Sequence, residues 1–295
     1  MKISECAELF LTYIEDKSPN TVKNYKTDLK QFVQIVGDKD VENISKVDIA
    51  KFRMFLQSKK RKSSTIARKL ASVNSFFEYL IDMELIRSSP VTKSHRPKIS
   101  QKVPSSLTDD EIKKVLDNCE TLMDKVIILI MLTTGLRSSE VISIKEEDIF
   151  IEREGKSFQI SSILNEGVKN TDVAFIKVKG KGDKERIVPI SGKPLFLLID
   201  YLTAVKRKDE KIFPISYKTL WKRIIKIGEK SGIKLHPHKL RHTAATKALQ
   251  SGAELRVIQE LLGHASPLTT ARYAKVSQKQ LVETTKRLSN LMEYE

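Results

Sequence analysis

Between Leu235 and Ala274 the chain reads LHPHKLRHTAATKALQSGAELRVIQELLGHASPLTTARYA, a stretch with four of the five histidines. It also carries Arg241, three residues after His238, and Tyr273 near its end. Histidine is the side chain whose unperturbed pKa puts proton transfer near neutral pH. Arginine offers a planar fork of donors that matches phosphate oxygens. On a helix, His238 and Arg241 share a face. Gly263-His264 closes the next helical pattern, and Tyr273 follows nine residues later in a turn of small residues. A tyrosine there is either a nucleophile or core packing. His236, His238, His242 and His264 raise the question of a metal. His238 and His242 stand at i,i+4 without the glutamate of a zincin motif, and no acidic residue lies beside them, so no metal site is expected. No serine sits in a nucleophile elbow, which argues against a hydrolase triad.

Two upstream segments add cations. Val126 to Thr134 reads as a buried apolar helix that stops at Gly135, followed at once by Leu136-Arg137-Ser138-Ser139-Glu140. An arginine between a buried helix end and a new cap at Ser138 or Ser139 sits at a rigid junction. It is either a functional cation or an ion-pair partner of Glu140 or Glu146. Farther on, Lys179-Gly-Lys-Gly-Asp-Lys184 carries the signals of a hairpin tip. A lysine there either protects a sheet edge or reaches a site as a mobile cation.

Two arginines, a lysine, two histidines and a tyrosine can together transfer a phosphoryl centre without metal or nucleotide. Charge builds on the nonbridging oxygens of the pentacoordinate phosphorus, where fixed guanidinium groups stabilise it. A phenol with a pKa of about 10 needs help to attack, which imidazole and arginine supply. The alkoxide that leaves needs a proton, which a lysine can donate.

The elements that must hold these groups follow from periodicity. Residues 1–91 read as helical. Ile3, Ala7, Phe10, Leu11 and Ile14 form one stripe, and Ser18-Pro19 caps and starts a second helix that Gly37 ends. Ser45 with Asp48 starts a third helix, carrying Phe52, Phe55 and Leu56. A fourth begins near Ser63-Ser64. Lys59, Lys60, Arg61 and Lys62, with Arg68 and Lys69 beyond, are either a solvated basic turn or phosphate contacts at helix starts. Residues 92–107 hold prolines and serines without periodicity and read as a basic linker, with His95 on its surface. Thr108 to Glu111 is a capping box that opens a second domain, 108–295. From Asp148 to Ile190 the period changes to that of strands, at Phe158–Ile160, Val173–Val178 and Arg186–Pro189, with 160–172 as a loop. Helices follow at 194–206, 217–232, 238–251, 254–262 and 277–294, with Trp221 expected in the core.

Lys plus Arg number 53 against 37 for Asp plus Glu, a net charge of +16 that favours a polyanionic partner, nucleic acid before a membrane surface. Cys6 and Cys119 have no ligand spacing and read as reduced core residues of a cytosolic protein. The N-terminus lacks a signal-peptide pattern, and the longest apolar run, Val126 to Leu132, is too short to span a bilayer.

These segments together resemble the tyrosine recombinases of the phage integrase family, and within it the Xer subgroup. The resemblance rests on Thr134-Gly-Leu-Arg-Ser-Ser-Glu140, Gly180-Lys-Gly-Asp-Lys-Glu-Arg186, His236-Pro-His-Lys-Leu-Arg-His242 and Leu261-Leu-Gly-His264 with Tyr273. The four motifs occur in the family's order, and the likeness extends to Ser18-Pro-Asn-Thr21 in the N-terminal module. It implies that Arg137 and Arg241 clamp the scissile phosphate, with Glu140 orienting Arg137. Lys181 would protonate the 5′-hydroxyl, with Lys179 and Lys184 as nearby rivals. His238 would assist proton transfer at the tyrosine, and His264 would hydrogen-bond a phosphate oxygen. Tyr273 would form a 3′-phosphotyrosyl link. His242 reads as structural.

The implied fold is mainly α with a small antiparallel β-sheet in the catalytic domain. Residues 1–91, a SAM-like core-DNA-binding domain, and 108–295, the catalytic domain, would form a two-domain C-shaped clamp on double-stranded DNA at a specific core site. The segment from Asp148 to Lys179 is longer than a minimal connection in this family, which leaves strand register open. No further N-terminal arm-binding domain is expected. The implied activity is cytoplasmic, metal- and ATP-independent and cofactor-free strand exchange by a homo-oligomer, a tetramer on paired sites. Leu281, Leu288, Leu291 and Met292 would pass the C-terminal helix to a neighbouring protomer. Resolution of chromosome or plasmid dimers is the expected role. Integration of a mobile element, type IB topoisomerase-like relaxation and non-catalytic DNA binding are the alternatives.

Overall fold

The start signals in the N-terminal part become helices at Ile3–Tyr13 (α1), Pro19–Val36 (α2), Lys46–Ser58 (α3) and Ser63–Asp82 (α4). The structure, a computed structural model, describes residues 1–95, 97, 106–153, 155–164, 166–180, 185–205, 210–263 and 278–290. Its contacts divide the chain into two units, Met1–Lys102 and Val103–Glu295. In the first, Ser18 accepts from the Thr21 amide with Pro19 at the first helical position, and Ser45 with Asp48 forms a capping box. The stripes meet in an aromatic core. Phe32 packs edge-on against Phe52 and Phe77, with ring centroids 5.3 and 6.0 Å apart. All three are fully buried.

One buried polar knot ties α2 to α4. The Asp28 carboxylate accepts from Arg68 at 2.5 and 3.0 Å, Lys69 at 2.7 Å and Ser72 at 2.8 Å. Burial works to raise its pKa, but the hydrogen bonds from Arg68, Lys69 and Ser72 outweigh burial and hold it below the usual carboxylate value. Both cations pair with Asp28, Lys69 buried and Arg68 with its side chain 46% exposed, whereas Lys59, Lys60, Arg61 and Lys62 are exposed at the turn between α3 and α4. His95 is also corrected, from surface to buried. Its Nδ1 lies 3.1 Å from the Thr92 amide, and the carbonyl beside it, of Ser94, accepts from Arg53.

The second unit opens with Asp109–Asp117 (α5), capped by Thr108 and Glu111 as expected, and then Leu122–Thr134 (α6), whose residues 126–134 are all buried. Ser138–Val141 (α7) follows. Ile149–Arg153 (β1), Lys156–Gln159 (β2), Val173–Lys179 (β3) and Glu185–Ser191 (β4) make an antiparallel sheet in the order β2-β1-β3-β4. β1 is a strand the periodicity did not separate from the acidic residues before it. Ile149 and Ile151 face the core opposite Ile176 and Ala174, and this alternation is too short to stand out. Ile160–Ile163 (α8) replaces the start of the expected loop. Pro189 is accommodated because β4 is an edge strand with β3 as its one neighbour in the sheet.

Helices Lys193–Ala204 (α9), Tyr217–Lys230 (α10), Pro237–Gln250 (α11), Leu255–Leu262 (α12) and Gln278–Asn290 (α13) complete the unit, and α9, α10, α11 and α13 pack against α6. The described chain is therefore mainly α with one small antiparallel sheet. Trp221 is not in the core: it is 40% exposed on α10 and stacks on Tyr217, which is more exposed still. Cys6 is fully buried, whereas Cys119 packs at the core's edge, where burial pushes its thiol up to about 12.

Within a single chain, the described part of the C-terminal helix folds back on its own unit. α13 packs on β4, α6 and α11 of its own unit, where Leu288 is fully buried and the Ser289 hydroxyl donates to the Ser191 carbonyl at 3.0 Å. The side chain of Leu281, and Leu291 and Met292, lie outside the described residues.

Replacing Asp28 by Asn leaves the Lys69 ammonium buried without its counter-charge. Equilibrium urea unfolding followed by circular dichroism should show the Met1–Lys102 unit destabilised by about 3 kcal/mol in Asp28→Asn. A change below ~0.5 kcal/mol, the usual range for surface positions, would mean that the knot is not structural.

Candidate active site

Four carbonyls and one carboxylate organise the polar centre of the second unit. A helix leaves its last carbonyls without intrahelical partners, and that end carries partial negative charge. At the end of α6 the Gly135 carbonyl accepts from Arg241 Nη1 at 2.5 Å. At the end of α12 three successive carbonyls each meet a different arginine. Leu261 accepts from Arg186 Nε at 3.4 Å, Leu262 from Arg241 Nη2 at 2.7 Å, and Gly263 from Arg137 Nη2 at 3.2 Å. Gly135 and Gly263 both end their helices in the left-handed conformation, with φ of 64° and 62°. Neither site has space for a side chain: a Cβ on Gly263 would lie 2.8 Å from the Arg186 guanidinium, and one on Gly135 would collide with Leu262.

Arg137 itself is the N-cap of α7, in place of the Ser138 or Ser139 expected from the residue types. Glu140, at the third helical position, accepts from the Arg137 backbone amide at 2.7 Å and from Arg137 Nη1 at 2.8 Å. The same carboxylate accepts a two-pronged contact from Arg186, at 2.9 Å on each oxygen. Glu140 is 3% exposed. Burial works to raise its pKa, yet the hydrogen bonds from Arg186 and from the Arg137 amide outweigh it and keep the carboxyl below its ordinary value. Arg241 is 6% exposed, and burial followed by the charge of Arg137 lowers its pKa to about 10, so it remains protonated at neutral pH.

The sequence around His238 positions Arg241 in the same way. His236 is the N-cap of α11, its Nδ1 accepting from the Lys239 amide at 3.0 Å, with Pro237 at the first helical position. Burial, then the neighbouring His238, lowers the His236 pKa. His238 is exposed in the first turn of α11, one turn before Arg241. His242 has its Nδ1 3.3 Å from the Thr246 hydroxyl.

The structure thus brings Arg137, Glu140 and Arg241 into one cluster, with His238 at the start of the helix that carries Arg241. Lys181, His264 and Tyr273 lie outside the described residues, as does Lys184. Lys179 is described: it ends β3, 70% exposed and 3.8 Å from Glu185. No group of three or more His, Cys, Asp or Glu side chains suited to a metal occurs among the described residues.

Arg186 was missed as a site residue, although a signal existed. It shares a strand face with Val188 and Ile190, both fully buried, while the apolar Ile187 between them is 43% exposed. A charge on the core face of a strand requires a partner. Among the described residues, three guanidinium groups gather near one carboxylate, which Arg137 and Arg186 contact while Arg241 holds carbonyls, so the cluster keeps an excess of positive charge. Such a site can bind a phosphodiester and stabilise the charge that develops on its oxygens.

The chain is similar to known proteins over most of its length. Residues 105–280 match the phage integrase family, and residues 7–84 match the phage integrase N-terminal SAM-like domain. Tyrosine recombinase XerA of Pyrococcus horikoshii is 35% identical over 95% of this chain and 92% of its own length. Tyrosine recombinase XerD of Listeria monocytogenes is 31% identical over 94% of this chain and 95% of its own. In fold, the chain is similar to lambda integrase residues 75–356, solved as a dimer bound to a COC′ core site, with a TM-score of 0.68, 17% identity and coverage of 94% and 100% of the two chains. The chain belongs to the phage integrase family and is a Xer-like tyrosine recombinase, an enzyme of site-specific DNA cleavage and rejoining.

Because the folded pKa of Glu140 is depressed, its stabilisation is present above the unfolded value of about 4.3 and is lost as pH falls through the folded one. Trp221, the chain's one tryptophan, reports on this unit by fluorescence. At pH 7, Glu140→Gln should unfold with about 3 kcal/mol less stability than wild type. The two curves should converge on acidification below about pH 4, as the wild-type carboxylate takes up its proton. A constant gap down to pH 2 would show that the charge of Glu140 carries no stability.

Proposed function

We propose that the arginine cluster at the ends of α6 and α12 holds the scissile phosphate of a recombination core site and that Tyr273 attacks it. The supporting observation is the excess of guanidinium charge over carboxylate, with Arg137 and Arg241 each fixed by a helix-end carbonyl. A guanidinium carries five donors, so one that holds a carbonyl can also meet phosphate oxygens. Arg137 and Arg241 stabilise the equatorial oxygens of the pentacoordinate phosphorus. His238 accepts the proton of the phenol, and His264 donates a hydrogen bond to a nonbridging oxygen. Lys181 gives a proton to the departing 5′-oxygen. The Tyr273 oxygen forms the new bond to phosphorus as the bond to the 5′-oxygen breaks, so the 3′-phosphotyrosyl link keeps the energy of the diester. The 5′-hydroxyl of a partner strand reverses the step without ATP or metal.

On this reading both 1–91 and 108–295 contact duplex DNA, with 92–107 joining them. Lys59, Lys60, Arg61 and Lys62 contact phosphates from an exposed turn. The relatives' solved complexes include a lambda integrase tetramer bound to a Holliday junction, which supports action as a tetramer on paired sites. Resolution of chromosome or plasmid dimers in the cytoplasm is the role that fits a Xer-like recombinase. Among the described residues no helix is long and apolar enough to cross a membrane.

Incubating the protein with fragmented DNA of its own organism, denaturing, and sequencing the ends of covalently attached fragments should recover one core sequence. The adduct should vanish in Tyr273→Phe; its persistence there would move the nucleophile elsewhere. Duplex relaxation without a recurring site would instead favour topoisomerase chemistry.

Replacing Lys59, Lys60, Arg61 and Lys62 together by Ala should weaken binding to that site. If all of them meet phosphate, the slope of log affinity against log salt should shrink by roughly 0.9 per lost contact. An unchanged slope would return this turn to plain solvation.

A further inference from the structure

The chain contains a third arginine in the cluster, with no role in the phosphate-clamping scheme above. Arg186 stands at the start of β4, directly after the connection that carries Lys181. Its guanidinium makes three kinds of contact at once. Nη1 and Nη2 donate to the two oxygens of Glu140, both at 2.9 Å, and Nε donates to the last-turn carbonyl of α12 at Leu261, at 3.4 Å. The side chain is 14% exposed, and the plane of its fork lies against Gly263, where even a methyl group would meet it at 2.8 Å.

These contacts make Arg186 the meeting point of separate elements. β4 supplies it, α12 anchors its Nε, and Glu140 passes its position on to Arg137, whose amide and Nη1 donate to the same carboxylate. Glu140 alone would not define one orientation for Arg137. The Arg137 amide and Nη1 take one oxygen each, but Nη1 belongs to the side chain that is to be positioned. Without Arg186 only the amide anchors the carboxylate, and it can rock about its terminal torsion, which is broad and nearly two-fold. A two-pronged arginine on both oxygens removes that freedom. Neutralisation alone does not account for the arrangement, because Arg137 already supplies a counter-charge to Glu140. A further buried cation in a cluster rich in positive charge is costly, so its presence calls for a reason other than neutralisation.

We propose that Arg186 is a positioning residue for the cleavage reaction: it locks the Glu140 carboxylate so that Arg137 is held in register with the scissile phosphate. This rests on the reading that Arg137 contacts that phosphate. Arg186 does not itself touch DNA. It acts through Glu140, and its loss leaves substrate binding intact while the cleavage step slows. Displacement of a catalytic group by about 1 Å lowers rates on the order of 100-fold.

The test uses the full chain and a suicide duplex carrying the core site recovered by covalent capture. Single-turnover cleavage and equilibrium DNA binding are measured for wild type, Arg186→Lys, Arg186→Gln, Glu140→Gln and the double variant Arg186→Gln/Glu140→Gln. The expected result is near-wild-type affinity with cleavage slowed by about 30- to 100-fold in Arg186→Gln. Arg186→Lys keeps the charge but loses the fork and should be slowed as well. The double variant should be no slower than the slower single one, because both substitutions cut the same link. A 5′-bridging phosphorothiolate separates this role from one exerted through the neighbouring lysine, since its sulfur leaves without a proton. It should restore cleavage by Lys181→Ala and leave Arg186→Gln slow.

Thermal unfolding of each variant, followed by Trp221 fluorescence, identifies any that fail to fold; Arg186→Lys, which keeps the charge, then carries the comparison. Cleavage by folded Arg186→Lys and Arg186→Gln within about 3-fold of wild type would overturn the proposal. So would multiplicative losses in the double variant or rescue of Arg186→Gln by the phosphorothiolate. If wild type itself forms no covalent adduct with any duplex, the phosphate-clamp reading fails first, and that outcome is distinct from a wild type that cleaves while Arg186 proves dispensable.

Discussion

The carbonyls that end α6 and α12 are the constraint on which the second unit depends. A helix end buried in a domain must find donors for its last carbonyls, and in this chain those donors are arginines. The negative ends of the helices reduce the cost of holding several guanidinium groups close together. In return each arginine gains an anchor on a backbone atom. Glu140 adds the one carboxylate that Arg137 and Arg186 share. The contacts that finish two helices thus also fix a concentration of positive charge, which is what the proposed phosphate clamp requires.

The rest of the unit serves that cluster. α6 is apolar on every side because α9, α10, α11 and α13 surround it, and its burial fixes where Gly135 places its carbonyl. Gly135 and Gly263 are required for two reasons at once, a left-handed backbone and the absence of space for a side chain. The β3–β4 hairpin contributes Arg186 from its return strand and, by sequence, carries Lys181 at its tip. α13 packs on β4 from within the same unit, so the strand that holds Arg186 is supported by a helix as well as by β3. In the first unit, Asp28 plays a comparable part to Glu140: a buried carboxylate gathers two cations and ties α2 to α4.

Much of this was legible in the residues. The helix starts at Ser18, Ser45 and Thr108 were readable because capping is a local interaction between a side chain and amides two or three positions away. The end of α6 at Gly135 was readable for the same reason. His238 and Arg241 were readable as a pair because helical spacing alone sets their relation. Misreadings arose where a residue's environment comes from distant chain. Trp221 was expected in the core because large aromatics usually bury, but its face of α10 has no covering element in the described structure. His95 was expected outside, yet it folds against its own Thr92. Lys69 looked like part of a basic run until Asp28, far away in sequence, claimed it.

The sequence by itself determined the kinds of groups available, their order along the chain and the helices that carry them, because periodicity, caps and motif spacing act over a few residues. It was enough to mark Arg137, Lys181, His238, Arg241, His264 and Tyr273 as a phosphoryl-transfer set once the family resemblance was seen. Tertiary structure alone decided which cations share a carboxylate and which helix ends they finish. Arg137, Arg186 and Arg241 come from α7's cap, β4 and α11, and they converge on Glu140 and the end of α12. No local rule connects Arg186 to Glu140, 46 positions apart. Their pairing follows from packing, since a charge on the buried face of a strand must meet its partner wherever the fold brings the two together.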